Sequence, residues 1–276
     1  MSVILPAIWV GFLGAAIGSF ISVIVFRVKK KKKGIIMGRS ICPSCKKPLK
    51  WYHLIPVFSF LFLRGKCANC GKRISVHYFS LEILTAAVFI LTFLKWNFLS
   101  FVPSSIDPSV YLFEIDWKIF EIFLFYLVEV TLMMAIFFYD LLYQEIPDRF
   151  SLPAILIGIL AAVAFGFPSL VSIGIGVLII ALFFGGQILL SKGAWLGGGD
   201  LRLGALLAVL LGWEMMLLAL IISYVFGALV SIVLLAANKA DRKTAIAFGP
   251  FLITGGLITL FLGEEIIAFY ISSILF

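Results

Sequence analysis

Charge is what this sequence has least of. Only 13% of its 276 residues are Asp, Glu, Lys or Arg, against 63% hydrophobic. A soluble domain averages about 25% charged and about 45–50% apolar residues, and one soluble core cannot hide this much apolar surface. A single soluble domain is therefore excluded. The class is an all-α polytopic membrane protein. Basic residues are missing ahead of the first apolar stretch, which is also longer than the about 7–15 residues of a signal-peptide core. Both facts argue against a cleaved signal peptide and for a retained first span with its amino terminus outside. Acids are absent from the whole window between Arg27 and Arg73. His53 and His77 have no partner at ligand spacing and read as structural or interfacial. No glycine-rich loop follows a strand pattern, so nothing marks a nucleotide site.

The acid-free window is strongly basic, with Arg27, Lys29 to Lys33, Arg39, Lys46, Lys47, Lys50, Arg64, Lys66, Lys72 and Arg73. Such a block beside a span marks the cytoplasmic side and suits anionic lipid headgroups. Tethered between two spans, it is no nucleic-acid site. About eight transmembrane helices are expected. The first five run over Val3 to Phe26, Tyr78 to Leu94, Ile119 to Tyr139, Leu152 to Phe167 and Leu170 to Leu190. The run from Leu201 to Ala237 would be roughly 55 Å long as one helix, against a hydrocarbon core of about 30 Å. Gly212, Trp213 and Glu214 offer the break that makes it two spans. The last span covers Ala245 to Leu262. Glu264 and Glu265 then interrupt it, with the tail in the interface. The chain divides into a first transmembrane helix at 1–26, a basic cytoplasmic domain at 27–77 and a membrane domain at 78–276. No internal repeat is visible.

Cys42-Pro-Ser-Cys45 and Cys67-Ala-Asn-Cys70 form paired CxxC knuckles. Two such knuckles place four thiolates around one zinc ion, in a site with no open position for water and hence a structural role. Disulfides and free buried thiols are the other readings, and a cytoplasmic loop disfavours disulfides.

Two carboxylates stand where apolar runs end. Asp140 closes one run. Asp200 follows Gly197-Gly198-Gly199 and opens another. Ionisable groups there are functional candidates. Asp200 suits a helix N-cap, whereas Asp140 at a helix C-terminus opposes the macrodipole, so capping does not explain it. A close carboxylate pair holds one proton between them. The ionised member takes a proton from water, and the protonated member hydrogen-bonds the oxyanion and protonates the leaving amine. The glycines admit a substrate strand. Asp148, in Ile146-Pro147-Asp148, reads as a turn and capping residue or a third functional acid, and Glu145 and Asp148 add charge that attracts a basic leader.

At these residues the chain resembles the bacterial type IV prepilin peptidases, a GxGD-type membrane aspartyl protease family. The resemblance rests on Gly18-Ser19-Phe20, the cysteine segment through Trp51-Tyr52, Ile55-Pro56 and Leu63-Arg64-Gly65-Lys66-Cys67, and Glu82-Ile83-Leu84-Thr85-Ala86. It continues through Asp140 with Ile146-Pro147-Asp148, Gly197-Gly198-Gly199-Asp200 and Phe248-Gly249-Pro250-Phe251. It implies catalysis by Asp140 and Asp200, while the knuckle spacing assigns zinc to Cys42, Cys45, Cys67 and Cys70. It also implies cleavage of the basic leader of a prepilin or pseudopilin at the cytoplasmic face of the inner membrane, within a peptidase domain at 78–276. Many members then methylate the new amino terminus using S-adenosylmethionine, for which Glu82 is a candidate. Departures stand at Ser22, His53-Leu54, Phe79 and Leu142, and the five-lysine run looks like an insertion. A preflagellin-type peptidase and a zinc-knuckle membrane scaffold are the competing classes.

Eight spans put Cys42, Asp140, Asp200 and Lys239 on one side. Single-cysteine labelling in a folded cysteine-free background should place probes beside these residues inside and beside Asp107 outside. An outside probe at Lys239 would break the eight-span topology.

Overall fold

In the computed structural model, residues 3–30, 40–42, 44–103, 111–239, 241, 244 and 246–275 are described. Lys31 to Lys33, Arg39, Asp107, Pro108, Arg242 and Lys243 lie outside the described residues. The chain forms two compact units, Met1–Ala135 and Ile136–Phe276. It is a multi-pass membrane protein: seven of the described helices are long and apolar enough to cross a bilayer.

In the first unit, helix α1 (Ile4–Lys29) packs along α3 (Val76–Lys95). The buried stripe of α1 is Gly11, Gly14, Ala15, Gly18, Ile21 and Val25, at helical spacing. A Cβ at Gly14 would fall 2.7 Å from Phe89 Cβ, and one at Gly18 2.9 Å from Glu82 Cα. Lipid supplies little hydrophobic drive between helices, so this close backbone approach is what lets α1 and α3 gain dispersion contact. Buried hydroxyls on α3 are satisfied within it, Thr85 by Leu81 O and Thr92 by Val88 O, both at 2.8 Å.

Between α1 and α3 lie the two cysteine knuckles, a turn of 3₁₀ helix at Trp51–Leu54 and the short α2 (Phe58–Phe62). The expected all-α chain carries one addition. The loop after α3 folds into an antiparallel ribbon, β1 (Leu99–Pro103) with β2 (Tyr111–Ile115), in which Leu99 faces Ile115. Asp116 then caps α4 (Trp117–Tyr143), accepting from the N–H groups of Lys118 at 3.0 Å and Ile119 at 3.1 Å.

The second unit holds the end of α4 with α5 (Asp148–Phe165), α6 (Leu170–Ser191), α7 (Gly198–Ala236) and α8 (Gly249–Leu275). Helix α7 packs against α5, α6 and α8. It breaks at Gly212, whose φ of 74° and ψ of 174° leave the helical region. The pieces, residues 198–211 and 213–236, are about 21 and about 36 Å long. The expected break near Gly212 is therefore present, but it leaves one candidate span where two were expected, since the first piece is shorter than a hydrocarbon core of about 30 Å. Ser172 Oγ accepts the Trp213 N–H at 3.2 Å and restarts the helix. Glu264 and Glu265 do not interrupt the last span, because α8 runs straight through them. Both are exposed and Glu is a good helix former, so they change polarity without ending the helix.

Gly212 meets two constraints at once. Its backbone suits only glycine, and an added Cβ would sit 2.6 Å from Ser172 Oγ. Gly166 caps α5 at φ 73° but has open space around it. Gly212→Ala should therefore lower the thermal midpoint in detergent clearly more than Gly166→Ala, whose cost is about 1–2 kcal/mol. Equal midpoints for the two variants would contradict the packed break.

Candidate active site and metal centre

Asp140 lies in the last turn of α4 and is buried, 4% exposed. Asp200 lies in the first turn of α7 and is half-buried. The two belong to one unit and are electrostatic neighbours. Each carboxylate is met by the start of a helix. The Gly249 N–H, at the first residue of α8, hydrogen-bonds Asp140. The Gly197 N–H, at the N-cap of α7, donates to Asp200 Oδ2 at 3.1 Å. Asp200 is therefore not the N-cap that its sequence position suggests. It stands three residues inside the helix and reaches back, as the acid of a capping box does.

The glycines around this pair have different jobs. At Gly249 a Cβ would overlap Asp140 Oδ2, so only glycine brings that N–H to the carboxylate. At Gly199 a Cβ would come 2.9 Å from Ile146 Cβ, so this glycine seats the loop after α4. Gly198 has nothing within 4 Å of its Cβ position. Asp148 begins α5 and is ion-paired with Arg202, whose second guanidinium nitrogen donates to Ile146 O at 3.4 Å. Arg202 thus ties the Ile146-Pro147-Asp148 loop to the turn bearing Asp200. Tyr224 stands in electrostatic reach of Asp200, takes a hydrogen bond from Gln187 Nε2 at 3.4 Å, and packs its ring on Phe248. Sequence reading missed Gly249 as a donor, Arg202 and Tyr224. It also missed Glu129, which is fully buried in α4 within the first unit, with neither oxygen hydrogen-bonded.

In the first unit the sulfur atoms of Cys42, Cys45, Cys67 and Cys70 all lie within 4.8 Å of one another, with Cys42 and Cys70 at 4.0 Å. No disulfide joins them. A tetrahedron with Zn–S bonds of about 2.3 Å needs sulfurs about 3.8 Å apart, so the donor set and its spacing fit a metal ion. The Cys42 thiol is drawn down from its ordinary value, foremost by the Cys45 N–H and also by the Ser44 N–H, in the direction of the thiolate that a metal takes.

The two knuckles are one motif used twice, 25 residues apart. Cys42 N–H donates to Lys47 O, and Cys67 N–H to Lys72 O. Lys46 N–H returns to Cys42 O, and Gly71 N–H to Cys67 O. Lys46 and Gly71 share a left-handed backbone, with φ of 59° and 69°. The outer bonds, Leu49 to Ser40 and Ile74 to Gly65, correspond as well. The repeat that sequence reading did not find is therefore present in backbone form.

Glu82, at the start of α3, accepts the Val57 N–H at 2.7 Å and a hydrogen bond from Ser19. Val57 is the centre of a γ-turn, with φ 64° and Phe58 N–H donating to Pro56 O at 2.6 Å. Glu82 and His53 both line a cavity of about 590 Å³ within this unit.

Residues 12–96 match the bacterial peptidase A24 N-terminal domain, and residues 127–232 match the type IV leader peptidase family. A prepilin leader peptidase/N-methyltransferase of Legionella pneumophila is 31% identical, covering 95% of this chain and 93% of that protein. Proteins of the same name from Bacillus subtilis and Xanthomonas campestris are 28% and 27% identical, over 86% and 94% of this chain and 87% and 92% of their own lengths. No solved structure matches the chain. With both domains matched in order and a relative above 30% identity along nearly the full length, the chain belongs to the type IV leader peptidase family.

Proposed function

We propose that this protein is a membrane aspartyl endopeptidase that removes the basic leader of type IV prepilins or pseudopilins and then methylates the new amino terminus. The observation that carries the peptidase reading is the pairing of Asp140 with Asp200, each held by a backbone N–H at a helix start. One carboxylate, ionised, takes a proton from water as the water attacks the scissile carbonyl. Its partner, protonated, donates to the oxyanion and then protonates the leaving amine. The fixed N–H groups of Gly249 and Gly197 hold both carboxylates in place through the cycle. The open backbone at Gly198 leaves room for an extended substrate strand. Asp148, already paired with Arg202, serves position rather than proton transfer. Peptidase chemistry falls within the 78–276 domain.

The basic block argues for an active site on the cytoplasmic face of the cell inner membrane, with anionic lipids as partners. Cys42, Cys45, Cys67 and Cys70 would hold one structural zinc that folds the 27–77 segment. Methyl transfer draws its methyl group from S-adenosylmethionine.

Asp140→Asn and Asp200→Asn should each lower prepilin cleavage by about 10²–10⁴-fold or more, in protein shown to be inserted and folded. The double variant should be little worse than either single one. Asp148→Asn should keep cleavage, because a partly exposed ion pair is worth about 1 kcal/mol or less. A folded single variant at Asp140 or Asp200 with near wild-type cleavage would end the dyad reading.

Purified protein should carry about one zinc per chain by elemental analysis. Cys67→Ser with Cys70→Ser should lose the metal and leave measurable proteolysis, since the aspartates belong to the other unit. Stoichiometric disulfides in protein made under reducing conditions would be the contrary result.

A further inference from the structure

We infer that the uncharged stretch between Lys50 and Arg64 is a membrane-docking element, whose exposed aromatic face enters the headgroup layer of the anionic bilayer that α1 and α3 span. The inference goes beyond the lipid attraction proposed for the basic block, because it assigns the apolar side chains that leave water. Residues 51–63 contain no Asp, Glu, Lys or Arg. An apolar run of about 10–14 residues is too short to cross a bilayer and suits an interfacial segment. This one folds into the 3₁₀ turn Trp51–Leu54 and the short helix α2. The large side chains it leaves exposed are Trp51, Tyr52, Leu54, Phe58, Leu61 and Phe62, with Phe62 at 84% and Trp51 at 77%. Such a patch, rimmed by basic residues, marks a surface that meets a partner or a membrane.

Helix α3 sets the depth of this stretch. It has 20 residues and is about 30 Å long, which matches a hydrocarbon core of about 30 Å, so its first turns lie at the edge of that core. Phe60 of α2 stacks on Phe79 in the first turn of α3, with ring centroids 4.7 Å apart. The Val57 N–H donates to Glu82, in the second turn, at 2.7 Å. Leu54 and Phe60 also line one cavity with Val23 and Phe26, near the C-terminal end of α1. The stretch is therefore held beside the ends of both helices, where headgroups give way to acyl chains. An apolar face lying in that layer sinks about 5–10 Å. Phe58, Leu61 and Phe62 stand at i, i+3 and i+4 and form one side of α2, while Phe60 turns to α3.

Charge selects the same partner. Lys50 and Arg64 bound the stretch and are exposed, Lys46, Lys47, Lys66 and Lys72 continue the positive field, and no acid stands between Arg27 and Arg73. Long basic side chains beside an apolar segment lay their stems on the apolar surface and keep their charged heads among the headgroups. Trp51 and Tyr52 meet edge to face at 5.7 Å, and Lys50 Nζ stands over the Tyr52 ring at 5.6 Å. Trp and Tyr suit this layer, having an apolar body and a polar tip. Val76, Ile83 and Leu84, on the first turns of α3, are exposed as well, so lipid already covers this level of the unit. With 51–62 seated in the headgroup layer, the knuckles on either side of it are held at the membrane surface instead of hanging on a free loop.

The test is fluorescence of the full-length protein in nanodiscs holding one chain each, made from phosphatidylglycerol or from phosphatidylcholine. The chain has six tryptophans, so Trp51 emission is read as the difference between the wild type and Trp51→Phe. Brominated lipid should quench that emission, more strongly with bromine near the headgroup than near the chain end, and iodide in the water should leave it unchanged. Quenching by iodide and not by brominated lipid overturns the docking and leaves the face in water for a protein partner such as the pilin. Quenching by neither also overturns it, with Trp51 shielded by the protein itself. Phe58→Ser with Leu61→Ser and Phe62→Ser removes one side of α2 and keeps Phe60 on Phe79, and it should open Trp51 to iodide. Lipid quenching of that variant at the wild-type level overturns the part given to α2. Trypsin cleavage after Arg64 should be slower in phosphatidylglycerol than in phosphatidylcholine. Equal rates in the two lipids overturn the attraction to anionic headgroups, and the quenching judges insertion separately.

Discussion

An acid placed at the edge of hydrocarbon loses water and must find hydrogen-bond donors in the protein. The first N–H groups of a helix have no partner inside the helix and lie at its positive end. The second unit uses this coincidence twice: the start of α8 supplies Asp140 and the start of α7 supplies Asp200. Much else in that unit follows from the need to bring two helix starts to two carboxylates. Gly249 has no side chain because Asp140 occupies the space. Gly199 has none because Ile146 must seat against the turn before α7. Arg202 then closes the arrangement by holding both Ile146 and Asp148.

What the sequence disclosed, it disclosed through bulk properties. Hydrophobic length gave the spans, and excess length alone exposed the break near Gly212. The polar loop after α3 hid its ribbon, because strands of five residues in a proline-containing stretch carry too short a pattern to read. Glu264 and Glu265 misled for the opposite reason: they end a run of hydropathy without opposing helix geometry. At the candidate site, Asp140 and Asp200 stood out because their charges fit poorly with apolar neighbours. Their donors did not, since every residue but proline has an N–H and nothing in a string of letters says where it points. Arg202 and Tyr224 looked like ordinary residues at the start and middle of an apolar run.

Packing within the first unit shows another limit of the same kind. The small residues of α1 are legible as small, but the identity of what they admit is not. Gly14 admits a phenylalanine and Gly18 admits the backbone that carries Glu82. One helix face therefore sets both how tightly α1 and α3 join and where an acid stands relative to the cysteine segment.

The doubled knuckle has a consequence for how the metal is acquired. The inner hydrogen bonds of each knuckle join residues only four or five apart, so each closes from its own short stretch at small entropic cost. A metal ion captured by one pair of thiolates then meets the other pair at the effective concentration set by a 25-residue connection, not at the concentration of free protein. Each half is thus a chelating arm, and the grip of the whole comes from their tethering. Exchange of the ion becomes stepwise: one arm releases and rebinds while the other retains the metal.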